Sequence, residues 1–81
     1  MAVTPPKQAR ARQTFERILD AAAELLTDQG IEGLNTNEVA NRAGVNVSTL
    51  YRYFDDKYDL VEGLLNRFSE LQLTEVAQQM F

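Results

Sequence analysis

Residues 47–53 place small apolar, hydroxyl and aromatic side chains in close succession, with the sequence VSTLYRY. Leu50 lies four residues before Phe54, so on a helix these two apolar side chains share one face and face inward together. Side chains that point away from them can meet a ligand: Val47, Ser48, Thr49, Arg52 and Tyr53. Hydroxyl groups can bond bases or phosphates, and small apolar groups can contact thymine methyls. The segment therefore predicts contacts in the major groove of a DNA duplex.

Two tyrosines and one arginine in this segment have more than one interpretation. The rings of Tyr51 and Tyr53 can belong to the core, as we expect for Phe54, or they can pack while their hydroxyls reach a phosphate. Arg52 can bind a phosphate, bond a guanine or pair with Asp55. These alternatives stay open on the residues alone.

Polar side chains also stand at the starts of the neighbouring helices. Thr36 is suited to bond a phosphate, although a solvent-facing residue of a first helical turn would look the same. Lys57 begins the fourth predicted helix, where free backbone N–H groups already favour an anion. Judged alone, Lys57 is better interpreted as a solvated lysine that pairs with an acid. For Asn46 we expect capping of the third helix rather than base contact.

Hydrophobic spacing predicts the helices that position these side chains. The first helix begins between Lys7 and Arg12 and ends at Gly30, because glycine adopts a left-handed conformation without steric cost. Ile31 should then fold back against the last turn. The apolar stripe of this helix follows three- and four-residue steps and consists of Phe15, Ile18, Leu19, Ala22, Leu25 and Leu26.

The second helix has the clearest start signal in the chain. Asn35 and Glu38 have the spacing of a capping box, which predicts a helix over Thr36–Ala43. Gly44 should end this helix as Gly30 ends the first. A short glycine turn then leads to the third helix.

The third helix is predicted over Val47–Phe54. Asp56 should cap the fourth, with Asp59 at the capping-box position. Whether the fourth helix continues past Leu73 or a new helix opens at Thr74 stays open. Its apolar stripe consists of Leu60, Val61, Leu64, Leu65, Phe68 and Leu71.

Composition excludes several classes of function. The chain has 81 residues and 44% hydrophobic content, enough for one small folded domain. It has no cysteine and no histidine, which removes disulfides, thiolate metal sites and the commonest general base. No apolar run approaches the ~20 residues of a membrane span. We therefore expect a soluble protein that is not an enzyme and that needs no cofactor or metal.

The net charge of −4 is unusual for a DNA-binding domain, but its distribution is informative. Lys7, Arg10 and Arg12 stand in a stretch without acids, whereas the remainder holds five basic and twelve acidic side chains. The basic stretch is either a solubilising tail or an arm that lies along phosphates. The helix-turn-helix pattern favours the arm.

Taken together, these motifs resemble the N-terminal DNA-binding domain of the tetracycline-repressor (TetR) family. The similarity lies in GxxxLNTNEVANRAGV, then STLYRYF, then a lysine three residues on; it is close over Gly30–Lys57 and looser from Arg12 to about Phe68. It implies an all-α fold, a three-helix helix-turn-helix (homeodomain-like) bundle plus a fourth connecting helix. We expect a flexible basic arm over residues 1–9, the DNA-binding domain over 10–55 and the connecting helix over 56–81.

The resemblance also implies roles for single residues. Asn37 matches a family position that can contact a base, and asparagine can bond adenine bidentately. Positions matching Tyr51 and Tyr53 contact DNA, and the position of Lys57 binds a phosphate. Asp55 departs from the family pattern, and we expect it to weaken binding by repelling phosphate. The expected base or groove contacts are Asn37, Val47, Ser48, Thr49 and Tyr53, and the expected phosphate contacts are Arg12, Thr36, Tyr51, Arg52 and Lys57.

The function implied by the resemblance is sequence-specific binding of double-stranded DNA by a cytoplasmic transcriptional repressor. Family members act as homodimers on near-palindromic operators, and a small-molecule effector binds a C-terminal domain for which 81 residues are too few. The main alternative is a helical protein–protein interaction module that uses its exposed aromatic side chains. Steep loss of affinity with salt would indicate phosphate contacts rather than apolar docking.

Overall fold

The structure is a computed structural model that describes the backbone of residues 8–80 and the side chains of residues 8–69. Every regular element in this part of the chain is a helix and none is a strand, so the predicted all-α class is confirmed. The predicted arm over residues 1–9 and the apolar positions from Leu71 onward fall mostly outside the described residues. The helices are α1 (Ala9–Gly33), α2 (Thr36–Ala43), α3 (Val47–Leu50) and α4 (Lys57–Met80).

Helix α1 bends at the glycine that was predicted to end it. Gly30 has φ 73° and ψ 179°, and the chain then completes one more helical turn up to Gly33. The prediction that Ile31 folds back against the helix is wrong, because this side chain is 46% exposed. Leu34, at 1% exposure, enters the core instead.

Helix α2 has the predicted bounds and the predicted ends. The Asn35 side chain accepts a hydrogen bond from the backbone N–H of Glu38 at 2.8 Å. The reciprocal half of the capping box is replaced by an ion pair, since the Glu38 carboxylate lies 4.0 Å from Arg42 Nε. Gly44 closes the helix in the left-handed conformation with φ 74° and ψ 32°.

Helix α3 is shorter than the predicted Val47–Phe54. After Leu50 the backbone tightens: Arg52 N–H bonds Thr49 O at 3.1 Å, and Tyr53 N–H bonds Leu50 O at 3.0 Å. These three-residue spacings belong to a 3₁₀-like turn, which commonly ends an α-helix. Asn46 occupies the predicted N-cap position, and its backbone carbonyl accepts from the N–H groups of Thr49 and Leu50, but its side chain makes no capping hydrogen bond.

The start of α4 follows the predicted cap with one change of partner. Asp56 Oδ1 accepts hydrogen bonds from the backbone N–H groups of Tyr58 and Asp59, both at 3.0 Å. Asp59 Oδ2 accepts from the Asp55 N–H at 2.7 Å, one residue earlier than a capping box requires. Helix α4 continues without a break to Met80, which answers the question left open at Leu73.

The core lies where α1, α2, the first half of α4 and the α3 segment, meaning α3 with the turn that follows it up to Phe54, meet. Gly63 lets α4 approach closely, since a Cβ there would lie 3.0 Å from a Leu19 methyl and 3.3 Å from Phe54. The apolar stripe of α4 is only partly covered: Leu60 is buried, whereas Leu65 and Phe68 are 60% and 57% exposed. The buried side chains are Phe15, Ile18, Leu19, Ala21, Ala22, Leu25, Leu34, Val39, Ala40, Ala43, Leu50, Phe54 and Leu60.

Candidate nucleic-acid interface

The segment that was predicted to contact bases is held by two fully buried side chains. Leu50 and Phe54 are 0% and 1% exposed, and the Phe54 ring stacks on Phe15 at 5.2 Å. Ser48 is exposed at the start of this segment. A rigid attachment behind an exposed polar side chain is the arrangement that groove contacts require.

Val47 and Thr49 stand on either side of Ser48 and are half-buried. Val47 packs partly against the core, so only part of its surface can face a base. Their small size leaves the backbone of α3 accessible to a groove.

Tyr53 combines the two interpretations that the sequence left open. Its ring is half-buried and meets Phe15 edge-on, with centroids 6.1 Å apart. Its hydroxyl makes no hydrogen bond to a described residue. Every buried side-chain oxygen in residues 8–69 does have a hydrogen-bond partner, so the Tyr53 hydroxyl is not among the buried ones. The hydroxyl is therefore open to solvent while the ring packs.

Two predicted phosphate contacts touch each other directly. Thr36 Oγ1 on the first turn of α2 lies 2.7 Å from the hydroxyl oxygen of Tyr51, just after α3. Tyr51 is 49% exposed. Within residues 8–69, this is the one side-chain hydrogen bond that joins two predicted site residues.

Two asparagines lie exposed at the starts of α2 and α3. Asn37 follows Thr36 on the first turn of α2, and neither asparagine side chain bonds another described residue. The Asn46 side chain makes no capping hydrogen bond, so its amide is available for other contacts.

Arg52 and Lys57 are not neutralised by the acids beside them. Arg52 is exposed and forms no ion pair with Asp55 in the described structure. Lys57 Nζ lies 3.4 Å from the Ile31 carbonyl oxygen and 5.5 Å from the centre of the Tyr58 ring, with no acid partner among the described residues. The pairing of Lys57 with an acid, one of its two interpretations, is absent from the described residues.

The described arginines fall into two groups with different surroundings. Arg10, Arg12 and Arg52 are exposed and lack ion pairs within residues 8–69. The other three described arginines, Arg17, Arg42 and Arg67, hold helices together. Arg42 lies near Glu24, Asp28 and Glu38.

Arg17 and Arg67 were not singled out by sequence reasoning. Arg17 Nη2 donates to the Ala43 carbonyl at the end of α2, and Arg67 joins α4 to Glu16 and Asp20 of α1 at 3.0 and 2.9 Å. No local pattern marks these residues, because their partners are distant in sequence. These structural arginines thus neutralise part of the acidic surface, and the remaining cations of residues 8–69, Arg10, Arg12, Arg52 and Lys57, form no ion pair there.

No cluster of three or more acidic, histidine or cysteine side chains in residues 8–69 could hold a metal ion. None of the described helices is both long and apolar enough to cross a bilayer.

An all-helical bundle with a glycine turn between α2 and α3, and an anchored α3 whose start is exposed, has the architecture of a helix-turn-helix domain. The family of bacterial regulatory proteins named tetR matches residues 18–64. The chain belongs to this tetR family.

Relatives of known sequence agree with this assignment. An uncharacterized HTH-type transcriptional regulator, YvkB of Bacillus subtilis (strain 168), is 45% identical over 69 residues, covering 79% of this chain and 36% of that protein. HTH-type transcriptional regulators of Staphylococcus aureus strains USA300 and N315 are 32% identical over 68 residues, covering 84% of this chain and 37% of each. The chain thus spans little more than a third of the length of these relatives.

Proposed function

We propose that this chain reads the sequence of double-stranded DNA for a transcriptional repressor. The observation that supports this most is the attachment of the α3 segment: Leu50 and Phe54 are buried, while Ser48 and Tyr51 face outward. In this proposal α3 enters the major groove and its first residues meet base edges.

Contacts to bases and to phosphates come from different parts of the surface. The proposed base or groove contacts are Asn37, Val47, Ser48, Thr49 and Tyr53. The proposed phosphate contacts are Arg12, Thr36, Tyr51, Arg52 and Lys57. The absence of acid partners for Arg12, Arg52 and Lys57 within residues 8–69 supports the second set.

The proposed complete regulator is a homodimer on a near-palindromic operator. Two α3 segments would then lie about 34–36 Å apart, one turn of the duplex. A further C-terminal domain would provide the dimer contact and bind a small-molecule effector that releases the DNA. The length of the relatives and the 60% and 57% exposure of Leu65 and Phe68 support a covering domain on α4. Such a regulator acts in the cytoplasm.

Selection from a random duplex pool tests the DNA-reading function. The chain should enrich a common short motif, and its affinity for that motif should fall steeply between about 50 and 200 mM salt, as phosphate contacts require. Failure to enrich any motif would contradict sequence reading.

A protein-interaction module is the second candidate function. Exposed Tyr58, Leu65 and Phe68 on α4 favour it, at 64%, 60% and 57% exposure. Binding through these side chains would depend weakly on salt, and DNA would not compete with it. The salt dependence of the selected complex therefore separates the two functions.

A further inference from the structure

The side chains of Thr36 and Tyr51 form a hydroxyl pair at the junction of α2 and α3. Their oxygens lie 2.7 Å apart, although the two residues are separated by fifteen positions in the chain. Neither side chain bonds any other described residue. The pair is also accessible, since Tyr51 is 49% exposed and Thr36 is half-buried.

A hydroxyl pair has one proton more than its internal hydrogen bond uses. Each hydroxyl carries one proton and two lone pairs, so one hydroxyl donates to its neighbour and the neighbour keeps its proton for a third group. Accepting a hydrogen bond polarises the second hydroxyl and strengthens what it donates. An anionic oxygen is the acceptor that gains most from such a donor.

Position also matters, because the two hydroxyls come from different elements. Thr36 belongs to the first turn of α2, and Tyr51 follows α3 directly. On the turn that begins at Ser48, Tyr51 lies three residues further on and so projects to the same side. An anion that accepts the free proton of the pair would therefore fix α2 and α3 against one point beside the groove.

We propose that Thr36 and Tyr51 bind a single DNA phosphate as one coupled unit rather than as two separate contacts. One hydroxyl donates to a phosphate oxygen, and the other donates to the first and holds it in place. This proposal rests on the proposed function and adds to it a shared phosphate and a mutual dependence. Because the pair is uncharged, it adds affinity and position without adding to the salt dependence.

If the two hydroxyls depend on each other, the losses of binding free energy caused by removing each one should not add. Thr36→Val and Tyr51→Phe each remove one hydroxyl and keep the shape of the side chain. Each should weaken binding of the selected duplex about tenfold, as for a hydrogen bond to a charged group. The double variant should bind within about twofold of the weaker single variant, whereas independent contacts would multiply to about a hundredfold.

Two control variants separate the hydroxyl from other roles. Tyr58→Phe removes a hydroxyl from a tyrosine that is 64% exposed and outside the pair, and it should leave affinity unchanged. Thr36→Ser keeps the hydroxyl and should bind within about twofold of the original chain. If Thr36→Val bound normally and Thr36→Ser did not, packing of the methyl group would be the role of Thr36 and the proposal would be overturned.

A duplex with one neutral methylphosphonate at a time locates the phosphate. At one position the original chain should lose about tenfold in affinity, and the double variant should lose nothing further there. The coupled pair would be overturned if the affinity losses of the two single variants multiplied in the double variant. It would also be overturned if the two single variants pointed to two different phosphates. Either result would leave the proposed reading of DNA intact. If the original chain bound no duplex at all, the proposed function would fail and the pair with it.

Discussion

Arg17 Nη2 donates a hydrogen bond of 2.6 Å to the backbone carbonyl of Ala43. This bond joins the middle of α1 to the last residue of α2, where carbonyl groups lack partners within the helix and a cation is favoured. The turn at Gly44 follows immediately and leads to α3. Arg17 could be counted as a DNA-binding residue from its charge alone. Its hydrogen bond shows that it instead holds α1 and α2 together behind the proposed DNA-reading surface.

Replacing Arg17 should lower stability. Arg17→Met removes the charged donor to Ala43, and we expect a loss of about 1–2 kcal/mol in the free energy of unfolding, measured by urea titration. Arg10→Met makes the same change on the exposed first turn of α1 and should cost under about 0.5 kcal/mol. Equal effects of the two substitutions would mean that the bond to Ala43 contributes nothing.

The two glycines with positive φ should respond differently to asparagine. Gly44, at φ 74° and ψ 32°, has a conformation that asparagine tolerates, so Gly44→Asn should be milder than Gly44→Ala, which costs about 1–2 kcal/mol. Gly30, at φ 73° and ψ 179°, lies in a region used essentially by glycine alone. Both substitutions at Gly30 should therefore cost about 1–3 kcal/mol, although a Cβ there meets no atom within 4 Å. Thermal or urea unfolding of the four variants measures these losses of stability. A Gly30→Asn variant as stable as the original chain would contradict the argument that the backbone of Gly30 requires glycine.

Two leucines offer a matched test of the core. Leu50→Ala should lower the free energy of unfolding by about 2–5 kcal/mol, since Leu50 is 0% exposed. The same change at Leu65, 60% exposed, should stay within about 0.5 kcal/mol. Urea midpoints of both variants provide the comparison. A large loss at Leu65 would show that α4 packs differently from the structure.

Local signals in the sequence predicted the helix ends correctly where the partner is close in the chain. Asn35 caps α2, Asp56 caps α4 and Gly44 closes α2, because each acts on a backbone group within a few residues. The same reasoning predicted Gly30 as a break but not the extra turn beyond it. Caps and glycine turns therefore indicate where helices begin and bend with little need of tertiary information.

Tertiary packing decided what the sequence could not. The Phe15 ring against Tyr53, and the close approach of α4 at Gly63, depend on how helices meet. Periodicity placed Leu65 and Phe68 on the apolar stripe of α4 without showing which part of it is covered; α4 turns Gly63 inward and leaves both side chains exposed. Residue types and the family resemblance together indicated the candidate site residues, whereas the contact between Thr36 and Tyr51 required the fold.

Salt dependence should distinguish unpaired cations from paired ones. Lys57→Gln and Arg42→Gln each remove one positive charge, but Arg42 is surrounded by acids and Lys57 is not. For Lys57→Gln we expect the slope of log affinity against log salt to fall by about 0.9, the value for one lost phosphate contact. The Arg42→Gln slope should match that of the original chain. Equal slopes for all three proteins would remove Lys57 from the phosphate contacts.

The most direct test is a map of amide chemical shifts of the ¹⁵N-labelled chain during titration with its selected duplex. The account predicts that the largest changes fall on residues 36–37 and 46–53, with Lys57 beside them, and that the outer side of α4 around Leu65 stays unchanged. Changes concentrated at Leu65 and Phe68, with residues 46–53 unaffected, would contradict the assignment of α3 as the surface that reads DNA.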